Sequence, residues 1–297
     1  MRPLNSTIFS NFNQPLKPVE NRILICTDLD RTLLPNGIQP ESAHARIIFA
    51  RLTARPEVVL AYVSGRHRGL VQDAIWEYKL PSPDWVIGDV GTTIYQVNND
   101  EWMPWMDWEQ DISTDWQGLR AMDLVTMFDD IIPLRLQEDA KQNTYKLSYY
   151  LSLSEDKGKI QEEMAARLKL RGIKASLIYS VDETERTGLL DVLPERATKL
   201  HAVEFLMRGQ GFGTYNTIFA GDSGNDLPVL ISPISSILVA NATDEVVELA
   251  KSMATQQGTL PALYMAHGGF MGMNGNYSAG ILEGIAHYFP SIKLWLE

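Results

Sequence analysis

Residues 23–34 read Ile-Leu-Ile-Cys-Thr-Asp-Leu-Asp-Arg-Thr-Leu-Leu, and the architecture follows from how this run ends. Ile23 to Thr27 is short, apolar and rich in β-branched residues, the pattern of a strand buried on both faces of a sheet. It stops at two carboxylates, Asp28 and Asp30, separated by one residue. In open α/β sheets, ligands gather beyond the carboxyl ends of the strands. Two acids at such a point repel each other unless a cation lies between them or one keeps its proton. At this stage two readings stand: a turn carrying solvated acids, common where strands stop, or a site.

Outward from that run, the 297 residues suffice for one large domain or two modest ones. A hydrophobic content of 45% with 21% charged residues is that of an ordinary globular protein. The formal net charge of -11 argues against a general binder of nucleic acid or of anionic membranes, either of which needs a basic face. A phosphorylated substrate would have to be attracted locally, by a metal ion or a few basic groups. The one cysteine, Cys26, lies inside the apolar run, which excludes disulfides and makes a reducing cytoplasm the expected location. No apolar segment approaches the ~20 residues of a membrane span. Residues 1–20 lack the apolar core of a secretory signal and are expected to form a loosely held leader.

Strand and helix patterns alternate on either side of a different middle. After the break at Pro35-Asn36-Gly37, the spacing predicts a helix over 41–52, a strand over 58–63 ending in Ser64-Gly65-Arg66-His67, and a helix to Tyr78. Val86 and Ile87 begin a third strand that turns into a hairpin with Ile94-Tyr95. Beyond a cluster of tryptophans (Trp102, Trp105, Trp108, Trp116), 145–153 alternates like a half-exposed strand. A helix over 155–170 and strands over 176–179 and 189–193 complete a small α+β group. The doubly wound pattern then returns with a helix over 198–207, a strand over 217–220 ending in Gly221-Asp222-Ser223-Gly224-Asn225-Asp226, a strand over 237–240, a helical stretch over 246–250 and a closing helix over 279–288. The expected organisation is a doubly wound, mostly parallel, Rossmann-like α/β core over 21–104 and 194–297, with an α+β insertion over 105–193.

Three apolar strands thus end in Asp28/Asp30, Ser64 and Asp222/Asp226, and a parallel sheet lines such ends along one edge. Four carboxylates converging there need a hard cation. Oxygen ligands without a Cys or His cluster select Mg²⁺ over zinc. Lys199, at a helix start, is a candidate phosphate ligand. Ser64 with the backbone N–H groups of Gly65 and Arg66 makes an anion-binding corner. One metal site flanked by phosphate donors and a free carboxylate is what phosphoryl transfer through an aspartyl intermediate requires.

Asp-Leu-Asp-Arg-Thr-Leu (28–33), Val-Ser-Gly-Arg (63–66), Lys199 and Gly-Asp-Ser-Gly-Asn-Asp (221–226) resemble, in order, the four motifs of the haloacid dehalogenase (HAD) superfamily. The insertion resembles its C2-type cap. Val-Gly-Thr-Thr-Ile (90–94), Tyr-Lys-Leu-Ser-Tyr-Tyr (145–150), Asp-Val-Leu-Pro (191–194) and the segment 279–289 are similar to its sucrose-phosphatase branch. The resemblance implies that Asp28 is the nucleophile and a Mg²⁺ ligand. It makes Asp30 the general acid and base, with its carbonyl on the metal. Ser64 and Lys199 would hold phosphate oxygens and Asp222 the metal. Asp226 would orient Lys199 or a metal-bound water, assisted by Asn225. The implied reaction is hydrolysis of sucrose 6-phosphate, with mannosyl- or glucosyl-3-phosphoglycerate and trehalose 6-phosphate as rival substrates. A non-catalytic sugar-phosphate-binding module and a phosphotransferase or mutase are the other classes. Docking to a sucrose-phosphate synthase is the one protein partner this branch suggests.

The quieter features divide between site and scaffold. Lys146 and Ser148 alternate with Leu147 and Tyr149, so one strand face can meet a sugar, or simply face solvent. The tryptophans are expected to pack at a domain junction, the other reading being a stacking platform for sugar. His44, His67, His201, His267 and His287 show no metal spacing, although His67 is close enough to Ser64 to neighbour a phosphate.

Overall fold

The structure, a computed structural model, describes residues 22–99, 101–182 and 185–296; the expected leader lies outside them. Its strands are β1 (Ile23–Thr27), β2 (Val58–Val63), β3 (Trp85–Gly88), β4 (Thr93–Asn98), β5 (Glu101–Pro104), β6 (Arg135–Leu136), β7 (Leu147–Leu151), β8 (Ala175–Asp182), β9 (Thr187–Pro194), β10 (Thr217–Gly221), β11 (Ser235–Leu238) and β12 (Leu263–Met265). The helices are α1 (Ala45–Thr53), α2 (Arg68–Tyr78), α3 (Met106–Ser113), α4 (Ala121–Leu124), α5 (Lys157–Leu170), α6 (Lys199–Gln210), α7 (Leu227–Leu230), α8 (Asp244–Gln257), α9 (Ser278–Tyr288) and α10 (Lys293–Leu296).

The main sheet runs β12-β11-β10-β1-β2-β3-β4-β5. It is parallel from β12 to β3, and the hairpin strands β4 and β5 add antiparallel at one edge. The apolar runs form its centre because strands covered by helices on both faces must be apolar throughout. Successive residues of β1 serve opposite sides. Ile23 and Ile25 join a cluster with Phe49 of α1 and Ile281 of α9. Leu24 and Cys26 join one with Val203 and Leu206 of α6. This is the doubly wound, Rossmann-like arrangement expected, and a second, four-stranded antiparallel sheet in the order β6-β7-β9-β8 forms the insertion, the expected cap. One face of the cap sheet, Leu147, Tyr149 and Leu151, packs on Ile160, Met164 and Leu168 of α5. Those three recur every four residues along the helix, and each contributes roughly 1.5–3 kcal/mol by burial.

Three departures from the sequence reading have physical causes. Helix α1 begins at Ala45 rather than Glu41. Pro40 and Ser42 are instead hydrogen-bonded to Asn274 and Asn276, and Glu41 pairs with Arg46. Helix α3, assigned by sequence to the insertion, packs with the main sheet, because Trp108 and Ile112 are wholly buried in the α6-side cluster. The strands β5, β6 and β12 are four, two and three residues long, too short to show periodicity. The tryptophans pack, as expected. Trp105 lies against Trp85 and Phe205, Trp108 against Phe205, and Trp116 against Tyr145 of the cap. Among the described residues, no helix is long and apolar enough to cross a membrane.

Candidate active site

Parallel register carries the ends of β1 and β10 to the same level, with Thr27 opposite Ala220. The Asp28 N–H extends this pairing by donating to the Ala220 carbonyl at 2.9 Å. Asp222 follows the end of β10 at once. The chain then turns through Ser223-Gly224-Asn225, and the carboxylate of Asp226 folds back over the strand end. There Asp226 Oδ2 accepts from the N–H groups of Asp222 (3.1 Å) and Ser223 (3.2 Å) and from Ser223 Oγ (3.2 Å). Gly221 makes that return possible, since a Cβ at 221 would lie 2.6 Å from the Asp226 carboxyl carbon.

Lys199 is the first residue of α6, and the Thr198 side chain caps that helix. Its Nζ donates to Asp28 Oδ1 at 3.0 Å and Asp226 Oδ1 at 2.7 Å, and lies 3.4 Å from Asn225 Oδ1. Lys199 is only 5% exposed and Asp226 fully buried. Burial alone would push the lysine down, but Asp226 and Asp28 more than offset it and hold the ammonium above its usual value. The acids show the opposite strain. Burial, with Asp226 and Asp222 alongside, raises Asp28 despite Lys199. Burial and Asp226 push Asp222 up to about 6, against the Thr32 hydroxyl (3.0 Å), Arg31 and Lys199.

This donor set fits a hard divalent cation. Oxygens of Asp28, Asp222 and Asp226 lie within 4.8 Å of one another. Asp226 has both oxygens committed, whereas Asp28 Oδ2 and Asp222 Oδ2 carry no hydrogen bond among the described residues. Carboxyl oxygens left unused, with no Cys or His in the group among the described residues, suit a hard, oxygen-seeking cation.

Asp30 has a different environment. Arg66 grips it bidentately, Nε to Oδ2 at 2.8 Å and Nη2 to Oδ1 at 2.7 Å, and Asn36 Nδ2 adds a third bond to Oδ1 at 2.8 Å. Burial works against ionisation here, but these partners win and lower the carboxyl below its usual range. Ser64 is buried at the end of β2, with its Oγ accepting the Arg66 N–H at 3.2 Å. Asp28, Asp30, Gly65, Arg66, Asp222 and Asn225 all line one cleft of about 360 Å³.

The cap residues lie elsewhere. Lys146 Nζ donates to the Lys141 carbonyl at 3.2 Å, and Ser148 Oγ donates to Asp191 at 2.5 Å. Neither lines the cleft. The cap instead meets the core through Asn143, whose Nδ2 donates to Thr92 Oγ1 at 2.8 Å. His67 sits at the N-terminus of α2, His201 pairs with Asp111 and His287 stacks on Tyr264, so no two of these form a metal pair. Sequence reasoning missed the side-chain role of Arg66, and it missed Thr32, Arg31 and Asn36 altogether. All lie within the quoted motifs or just beyond them, and only their orientation was hidden.

A family model for sucrose-6F-phosphate phosphohydrolase matches residues 21–289. A HAD-like hydrolase of Nitrosococcus oceani, whose name specifies no substrate, is 56% identical over 94% of this chain and 75% of its own. Sucrose-phosphatase 1 of Nicotiana tabacum is 29% identical over 90% of this chain, which spans 59% of that relative's length. Mannosylfructose-phosphate phosphatase of Agrobacterium fabrum is 29% identical over 79% of this chain and 88% of its own. Among solved structures, the sucrose-phosphatase of Synechocystis sp. PCC6803 in complex with sucrose and phosphate superposes with a TM-score of 0.66 at 24% identity, over 90% of this chain and 98% of that one.

Proposed function

The chain belongs to the sucrose-6F-phosphate phosphohydrolase family of HAD-like proteins, and on that footing we propose that it is a Mg²⁺-dependent phosphatase. Its substrate in this reading is a glycosyl phosphate, sucrose 6-phosphate first, and the reaction passes through an aspartyl phosphate. The observation that carries the reading is the buried Lys199 held between Asp28 and Asp226, beside Asp222, at the ends of adjacent parallel strands. A binding module gains nothing from a nucleophile set beside an acid, so the intact set favours catalysis.

A carboxylate oxygen of Asp28 attacks phosphorus, the phosphorus–oxygen bond to the sugar breaks, and Asp30, which takes up a proton once Arg66 releases it, gives that proton to the departing oxygen. Water then attacks the phosphorus of the aspartyl phosphate while Asp30 takes a proton from it. The bond to Asp28 breaks, releasing phosphate and restoring the carboxylate. General acid catalysis of this kind supplies roughly 10²–10⁴-fold. Because Arg66 occupies both Asp30 oxygens, the acid step includes release from that pair. Lys199 and Ser64 hold phosphoryl oxygens, with the Gly65 N–H beside them, and Asp226 and Asn225 orient Lys199. Asp28, Asp222 and the Asp30 carbonyl would hold Mg²⁺, which supplies Lewis-acid neutralisation of the phosphoryl oxygens. The insertion, taken as 114–193 because α3 packs with the main sheet, closes over the sugar and brings Lys146 and Ser148 towards its hydroxyls. A cytoplasmic setting accords with the single buried Cys26.

Phosphate release with Mg²⁺ over sucrose 6-phosphate, mannosylfructose phosphate, trehalose 6-phosphate and the glycosyl-3-phosphoglycerates tests the substrate. The highest kcat/KM is expected for sucrose 6-phosphate. Mannosylfructose phosphate is the second reading, favoured by the Agrobacterium relative, which this chain matches over 88% of its length. A tenfold preference for any other compound, about 1.4 kcal/mol, replaces sucrose 6-phosphate.

A further inference from the structure

Three cationic side chains lie at or beside the cleft, and two of them are hydrogen-bonded to carboxylates. Lys199 is bound to Asp28 and Asp226, and Arg66 to both oxygens of Asp30. The third is Arg31, which lines the same cleft. Its nearest charge is Asp222, with Nε 3.6 Å from Oδ2, beyond hydrogen-bond range. Among the described residues its guanidinium forms no hydrogen bond, and its Nε is buried without a partner. The side chain is nonetheless 43% exposed, open towards the cleft.

The backbone shows that this placement is built. Arg31 has φ +59°, the left-handed region that non-glycine residues seldom occupy. Both of its peptide groups are held by asparagine side chains distant from each other in sequence. Its N–H donates to Asn36 Oδ1 at 2.8 Å, and its carbonyl accepts from Asn241 Nδ2 at 2.6 Å. Asn241 is 2% exposed and is itself fixed by the Tyr277 N–H at 2.8 Å. A strained residue persists where its surroundings over-determine it, and such residues cluster at ligand sites. The chain here forces an arginine into an unfavourable conformation whose outcome is a guanidinium at the nucleophile's cleft that is ion-paired with Asp222 at 3.6 Å but forms no hydrogen bond among the described residues.

We propose that Arg31 is a phosphate-binding residue: its guanidinium, whose donors are unused among the described residues, donates to oxygens of the phosphomonoester dianion entering beside Asp28. The planar fork matches phosphate geometry, whereas Lys199 and Arg66 each already hydrogen-bond a carboxylate of the site. Asn36 and Asn241 are its positioning residues. The proposal deepens the phosphatase reading and rests on it for the substrate class, but its test does not need turnover.

Calorimetric titration of the 297-residue chain with orthophosphate in saturating Mg²⁺, alongside a Mg²⁺ titration without phosphate, tests it on the wild type, Arg31→Asn and Arg31→Lys. Asparagine tolerates the left-handed backbone, so Arg31→Asn keeps the turn. Arg31→Asn is expected to weaken orthophosphate binding at least tenfold with Mg²⁺ affinity unchanged or tighter, and Arg31→Lys to fall between, keeping the charge but losing the fork. Unchanged orthophosphate affinity in a folded Arg31→Asn overturns the proposal and leaves Arg31 a counter-ion of Asp222. If that variant does not fold, Arg31→Lys decides by the same measure, wild-type affinity overturning the proposal. A wild type that binds orthophosphate yet hydrolyses no sugar phosphate retires the phosphatase reading, while the variants still judge Arg31.

Discussion

Replacing Lys199 by Met removes one charge and little volume, because an unbranched thioether fills much the same channel. The ammonium lies 3.0 Å from Asp28 and 2.7 Å from Asp226, with almost no solvent access. Its loss strands the buried carboxyls of Asp28, Asp222 and Asp226 without their central cation. Breaking a buried pair by removing one partner costs about 3–5 kcal/mol. At 2–4 °C per kcal/mol for a large domain, the expected fall in Tm is on the order of 10 °C. The loss also has a pH signature. In the wild type Asp222 ionises near 6 when folded against 3.8 as the unperturbed value, so the folded state holds the extra proton between those limits. Stability from this group therefore declines as pH rises through that window. Without Lys199 the carboxyls rise further, and the decline extends to higher pH. Melts of both proteins in EDTA at pH 5 and pH 8 should show the larger gap at pH 8. A Tm within 2 °C of wild type at pH 8, or a larger gap at pH 5, would refute the assignment of Lys199 as the cation neutralising this cluster.

Asp28→Asn should abolish turnover while leaving Tm in EDTA no lower than wild type, since it removes one of several crowded carboxyls; steady-state assay and melting check both. Asp30→Asn should keep substrate affinity and lower kcat by roughly 10²–10⁴-fold, and an equal loss in KM would show that Asp30 binds rather than reacts. Mg²⁺ at 100 times its Kd should stabilise the fold by about 2.7 kcal/mol at pH 7.5 and by less at pH 5, where Asp222 must first lose a proton; thermal shift at the two pH values tests this. Gly91→Ala places a Cβ 2.9 Å from the Thr198 carbonyl carbon at a residue with φ +95°. The displaced start of α6 should lower kcat at least tenfold and reduce Tm, read by the same assays.

Part of this protein is written locally. An apolar run that stops at charge marks a covered strand and the place where it ends. The placing of Asp28, Ser64, Asp222 and Asp226 at or just beyond strand ends was therefore legible, and so was the mostly parallel sheet that aligns them. The packing role of the tryptophans was legible too, because rings of that size are buried wherever they can be. Side-chain direction and long-range company were not. That the Arg66 guanidinium closes on Asp30 depends on how β1 and β2 pair, across 36 positions of sequence. Arg31 owes its left-handed turn in part to Asn241, 210 residues away, and Gly91 abuts the first turn of α6 only through the fold. Helix α3 sides with the main sheet because Trp108 finds Phe205 there, a preference no local pattern encodes. Periodicity reports which faces are apolar; only tertiary packing chooses which faces meet, and with that which charges stay paired and which stay free.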